Sequence, residues 1–95
     1  MRKSTVSRED AEVLAVKAIG YLAGDEDRLG EFLALTGLSP QELRGQIGDP
    51  AFLGAVLDYI LGDERLLLEF CQSINAAPEL PALARTRLPG APVYE

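Results

Sequence analysis

Ile19-Gly20-Tyr21-Leu22-Ala23-Gly24-Asp25-Glu26-Asp27-Arg28-Leu29-Gly30-Glu31-Phe32 returns 38 positions later as Leu57-Asp58-Tyr59-Ile60-Leu61-Gly62-Asp63-Glu64-Arg65-Leu66-Leu67-Leu68-Glu69-Phe70. Seven of the 14 aligned positions are identical, where ordinary residue frequencies give about one. Each copy carries the end of one apolar-periodic segment, a Gly-Asp junction and the start of the next segment. Pro40 and Pro78 keep the same offset. The repeat predicts two similar helical units, with Leu14 to Leu33 and Phe52 to Cys71 as matching helix pairs about an approximate two-fold axis. Equivalent side chains would then meet in one core.

Working outward, Ser7 caps a first helix over residues 8–23, with Glu9, Asp10 and Glu12 near its positive end. Its inward stripe is Ala11, Leu14, Ala15, Ala18 and Leu22, the spacing that returns side chains to one face. Gly24 can adopt the left-handed conformation that closes many helices, and Asp25 can cap the next one. A second helix over 26–36 buries Leu29, Phe32, Leu33 and Thr36. Leu38-Ser39-Pro40-Gln41-Glu42-Leu43 combines an N-cap, a proline in the first turn, a capping box and a hydrophobic staple. The third helix therefore runs to about residue 47. Asp49-Pro50 repeats the cap-plus-proline start for a fourth helix over 51–61, with Phe52, Leu53, Val56, Leu57 and Ile60 inward. A fifth over 64–74 faces Leu67, Phe70, Cys71 and Ile74 inward. Residues 78–88 are open between a sixth helix and an irregular segment, because Pro81 would forfeit a hydrogen bond in a helix begun at Pro78.

No period-two strand pattern occurs, and the short junctions leave no room for long crossovers. The expected fold is an all-α compact bundle of five to six short helices. Ninety-five residues, 47% of them apolar, suit one domain with a single core, with 1–7 and 89–95 as flexible tails. No apolar stretch approaches the roughly 20 residues needed to cross a bilayer, and no signal-peptide pattern follows the start, so a cytoplasmic location is expected. One cysteine, Cys71, closes no intramolecular disulfide.

Several of these segments together resemble a known family. Glu9-Asp10-Ala11, Asp27-Arg28-Leu29, Phe32-Leu33-Ala34-Leu35-Thr36-Gly37-Leu38, Gly48-Asp49-Pro50-Ala51-Phe52-Leu53 and Leu66-Leu67-Leu68 are similar to the small bacterial family catalogued as domain of unknown function 3572. The resemblance covers roughly residues 9–80 and implies a size class and a helical fold. It implies no activity, cofactor or catalytic residue.

Catalysis finds little material. There is no histidine, the usual general base near neutral pH and the commonest zinc ligand. Cys71 falls on the inward stripe, as a packed core thiol would, and Ser7 and Ser39 are engaged as caps. Asp25, Glu26, Asp27, Asp63 and Glu64 lie at helix starts, where carboxylates bind orphan N–H groups, and lack the alternating ligands of a calcium loop. No enzyme activity, cofactor or metal is expected.

Nucleic-acid binding is the competing reading. The second helix, the turn at 36–39 and the third helix resemble a helix-turn-helix, with Gln41, Arg44 and Gln46 available for base edges. A net charge of −6 opposes a polyanion, and Asp25, Glu26, Asp27, Glu42 and Asp49 surround the proposed reader. The preferred expectation is a non-catalytic helical protein that binds another protein or itself, as a small adaptor or regulator. Leu66 and Leu68, replacing Arg28 and Gly30 of the first copy, lie to either side of the fifth helix's stripe. Burial inside the monomer is the plainer outcome for them, and a partner surface the alternative.

Overall fold

A computed structural model describes residues 6–90. They form six helices: α1 (Arg8–Ala23), α2 (Glu26–Thr36), α3 (Pro40–Gln46), α4 (Pro50–Leu61), α5 (Glu64–Ser73) and α6 (Leu80–Arg85). No strand occurs among the described residues. The protein is an all-α globule in which α1 packs on α2, α4 and α6, and α4 packs on α5 and α6.

The helix starts follow from side-chain capping. Ser7 Oγ accepts from the Asp10 N–H at 3.0 Å, and the Asp10 carboxylate accepts from the Ser7 N–H at 3.1 Å. Ser39 and Glu42 form the same reciprocal pair at 3.1 and 2.9 Å. Asp25, Asp49 and Asp63 accept from the N–H groups of Asp27, Ala51 and Leu66, at 3.0, 3.0 and 3.2 Å. Each bond satisfies a donor that the first helical turn leaves unpaired.

Gly24 departs from the expected left-handed closure. It has φ −78° and ψ −5°, and Gly62 has φ −77° and ψ −6°, both ordinary right-handed values. The chain is redirected instead by the extended Asp25 (φ −133°, ψ 110°) and Asp63 (φ −135°, ψ 103°). Left-handed backbone appears after α2 at Gly37 (φ 76°), and after α5 at Asn75 (φ 59°), a residue type that tolerates it. The last helix starts at Leu80, two residues beyond Pro78. Pro81 thereby falls in the first turn, where its missing N–H forfeits no intrahelical bond.

The core joins Ala11, Leu14, Ala15, Ala18, Ile19 and Leu22 of α1 to Leu53, Val56, Leu57 and Ile60 of α4, with Phe32, Leu43, Phe70 and Cys71 from the shorter helices. Two corrections concern helix faces. Thr36 is exposed, because its hydroxyl donates back to the Phe32 carbonyl at 3.0 Å and closes the end of α2. The buried face of α5 is turned toward Leu66, which joins Phe70 and Cys71 inside, while Leu67 and Ile74 are half-buried. Aromatic pairs cross between the helical hairpins. Tyr21 packs on Phe70 with ring centroids 5.7 Å apart, and Tyr59 on Phe32 at 5.1 Å.

A buried arginine fixes α6. Arg85, 5% exposed, donates through Nε and Nη2 to the two oxygens of Asp58 at 2.7 and 3.1 Å. Its remaining bonds reach the carbonyls of Leu88 and Pro89, both at 3.2 Å, and Gly90 at 2.8 Å. The forked guanidinium thus ties α4, α6 and the segment after it into one unit. Leu88 is buried, and Pro89 and Gly90, assigned by sequence to the C-terminal tail, are held by these bonds. Residues 1–5 and 91–95 of the expected tails lie outside the described residues.

Candidate functional site

One opening on the molecule follows α1. Val13 and Val16 point away from the alanine-rich face that packs on the core, and they are 55% and 43% exposed. One hollow of about 570 Å³ lies between α1, residues 74–79 and α6. Val6, Val13, Leu14, Ile74, Leu80 and Leu83 supply its apolar lining, with Asp10, Lys17 and Glu79 as charged members. A second, more open hollow of about 620 Å³ lies on the other flank of α1. Val13, Val16, Ile47 and Leu53 line it together with Glu9, Asp10, Glu12 and Lys17. Asp10, Val13 and Lys17 belong to both, so the outer face of α1 is a ridge between two depressions.

The volumes lie in the range of small-molecule pockets, but such pockets fix their ligands with polar groups converging on one point. Here Glu9, Asp10, Lys17 and Glu79 are all exposed, and Asp10 is engaged in the α1 capping box. Glu12 is paired with Arg8 at 3.5 Å. An apolar ridge with a charged rim suits a macromolecular contact better than a reacting centre.

The residues singled out by sequence fall in three places. Leu66 is 1% exposed, whereas Leu68 is 46% exposed. The two alternatives therefore divide: Leu66 is buried in the core, and Leu68 is open to solvent. Gln41 and Arg44 are exposed on α3, and Gln46 is half-buried. Glu42 on α3, Asp49 just after it, and Asp25, Glu26 and Asp27 at the start of α2 are exposed as well. Arg28, the nearest cation on α2, is engaged by Glu69 at 2.5 Å and Asp25 at 3.8 Å. Arg44 is left as the basic group on the α3 surface.

Cys71 is buried, and burial, followed by the charge of Glu79, pushes its thiol above the ordinary value. That is opposite to the shift that activates a nucleophilic cysteine. Tyr59 is also pushed up, first by burial and then by Glu31. Among the described residues no three Cys, Asp or Glu side chains gather as metal ligands. No described helix is long and apolar enough to cross a membrane.

The outer face of α1 was not singled out from the sequence, although a signal was present. Val13 and Val16 are β-branched residues one turn apart on the side opposite Ala11, Ala15 and Ala18, a second apolar strip that core packing does not require.

These features define a small all-α protein that carries an exposed apolar face on its first helix. The model of the family described as Protein of unknown function (DUF3572) matches residues 8–91, and the chain belongs to that family. No curated protein and no solved structure matches the chain.

Proposed function

We propose that the protein is a non-catalytic adaptor or regulator that works by binding another protein through the outer face of α1. The observation that carries this reading is the exposed Val13–Val16 ridge set between two hollows, with Leu83 across the first hollow 49% exposed. Scattered apolar side chains are ordinary on a protein surface, whereas a contiguous apolar patch with a charged rim is a feature of docking sites. The raised Cys71 thiol and the use of Ser7 and Ser39 as caps add to the case against catalysis.

Capture from the native cell by the parent chain and by a Val13→Lys, Val16→Lys variant tests the reading. Both substitutions are on exposed helical positions, so the variant is expected to melt with the parent. A protein retained by the parent and lost by the variant supports the proposal. A salt-sensitive shift of duplex DNA that depends on Arg44 would favour the helix-turn-helix reading instead.

The chain is further proposed to be two copies of one helical unit. The Gly24-Asp25 and Gly62-Asp63 junctions share nearly the same backbone angles, which supports this. The aromatic pairs support it independently, because Tyr21 and Tyr59 are equivalent at the 38-residue offset, as are Phe32 and Phe70. Each tyrosine packs on the other unit's phenylalanine, the exchange that an approximate two-fold axis requires. Equal coupling energies in the two pairs are the expected outcome, and coupling in one pair alone would contradict the duplication.

A further inference from the structure

We infer that the partner seated on the α1 face is a basic amphipathic α-helix, its apolar side laid along the hollow between α1 and α6. This rests on the protein-docking reading above and adds the chemistry of the occupant. Among the described residues, the hollow between α1 and α6 is lined by two carboxylates, Asp10 and Glu79, against one amine, Lys17, and the adjoining hollow adds Glu9 and Glu12. Arg8 offsets part of Glu12. A partner segment must meet this acidic rim while covering the apolar side chains of Val13, Leu80 and Leu83. Positive potential opposite negative potential steers encounter and disfavours acidic competitors. The net charge of −6 extends the same preference beyond the rim.

Shape selects a helix. The described residues contain no strand, so an extended peptide finds no sheet edge to join, and the hollow's described lining has neither the aromatic side chains of a polyproline site nor the arginines of a phosphopeptide site, which favours a helix in a groove. Asp10, Val13, Leu14 and Lys17 line the first hollow over two turns of α1. A partner helix with an apolar stripe of about two turns, at i, i+3 or i+4 and i+7, matches that length. A second copy of this chain fits poorly, since a two-fold contact would set the acidic rim against itself.

Selection from a phage-displayed library of 16-residue helical peptides, unbiased in charge, tests the inference. Enriched peptides are expected to be basic and amphipathic. When synthesised, they are expected to bind more weakly as salt rises. Val13→Ala with Leu83→Ala should weaken them about tenfold or more, and Glu79→Lys should weaken them and flatten the salt dependence. Leu68→Gln, on the α5 surface, should leave affinity unchanged. Neutral or acidic winners that still lose affinity with Val13→Ala and Leu83→Ala would overturn the basic helix and leave protein docking on this face standing. Winners indifferent to Val13 and Leu83, or an empty selection, would overturn both.

Discussion

Tyr21 of α1 packs against Phe70 of α5 with ring centroids 5.7 Å apart and planes tilted by 56°. Its counterpart, Tyr59 on Phe32, has centroids 5.1 Å apart and planes at 68°. Both phenylalanines are among the largest fully buried side chains, so each anchors one short helix to the long helix of the other hairpin. Phe32→Ala or Phe70→Ala is expected to cost about 3 to 5 kcal/mol, a large share of a small domain's stability. Milder cycles with Tyr21→Leu and Phe70→Leu, and with Tyr59→Leu and Phe32→Leu, should each show coupling of about 0.5 to 1.5 kcal/mol in denaturant titrations. Coupling near zero in both would mean that the rings contribute only their buried area.

Glycine-to-alanine substitutions should change sign between two helices. A Cβ at Gly54 of α4 would meet Arg85 Nη1 at 2.9 Å and the Pro89 carbonyl oxygen at 3.0 Å, so Gly54→Ala must displace the Arg85 network. The expected cost is about 1 to 3 kcal/mol. At Gly30, inside α2, a Cβ would meet nothing within 4 Å, and Gly30→Ala should stabilise by about 1 kcal/mol through better helix propensity. Equal midpoints for the two variants would contradict the close packing at Arg85.

Adjacent leucines on α5 give a second contrast. Leu66→Arg places a charge in the core and should lower the melting temperature well below that of the parent. Leu68→Gln, at a half-exposed position, should change stability by no more than about 0.5 kcal/mol. Equal destabilisation by both would show that Leu68 is covered.

The unequal fates of these two leucines show what local patterning can and cannot decide. Helix starts were legible because Ser7, Asp25, Ser39, Asp49 and Asp63 act within three residues of themselves. Faces were less legible: the stripe drawn on α5 ran through Leu67 and Ile74, which are half-buried, although burial of Leu66 was the plainer expectation, and Thr36 bonded its own helix instead of the core. The Arg85 network was hidden because Asp58 lies 27 residues away and the other acceptors are backbone carbonyls. The α1 ridge was visible as Val13 and Val16, but only the tertiary fold opens hollows on both sides of it.

The buried thiol sets a pH dependence. Burial raises the Cys71 pKa in the folded state, so above the ordinary thiol range, about 8.5, the unfolded chain releases this proton more readily. The unfolded state then binds fewer protons, and stability falls as pH rises. The contribution is intact below the unfolded pKa and is lost on the alkaline side. The parent's denaturant midpoint should therefore decline more steeply between about pH 8 and 10 than that of Cys71→Ala. Identical slopes would assign the alkaline loss to Tyr59 or to other groups.

Docking on the α1 face is tested most directly by placing a photo-crosslinking amino acid at position 83 or at position 68 of the full chain in its native cell. Leu83 lines the hollow beside α1, whereas Leu68 is on α5 outside both hollows, and their exposures, 49% and 46%, are nearly matched. A discrete protein adduct from position 83 that is lost on adding Val13→Lys, with none from position 68, is the expected result. An adduct from position 68 alone, or from neither position, would contradict docking on α1.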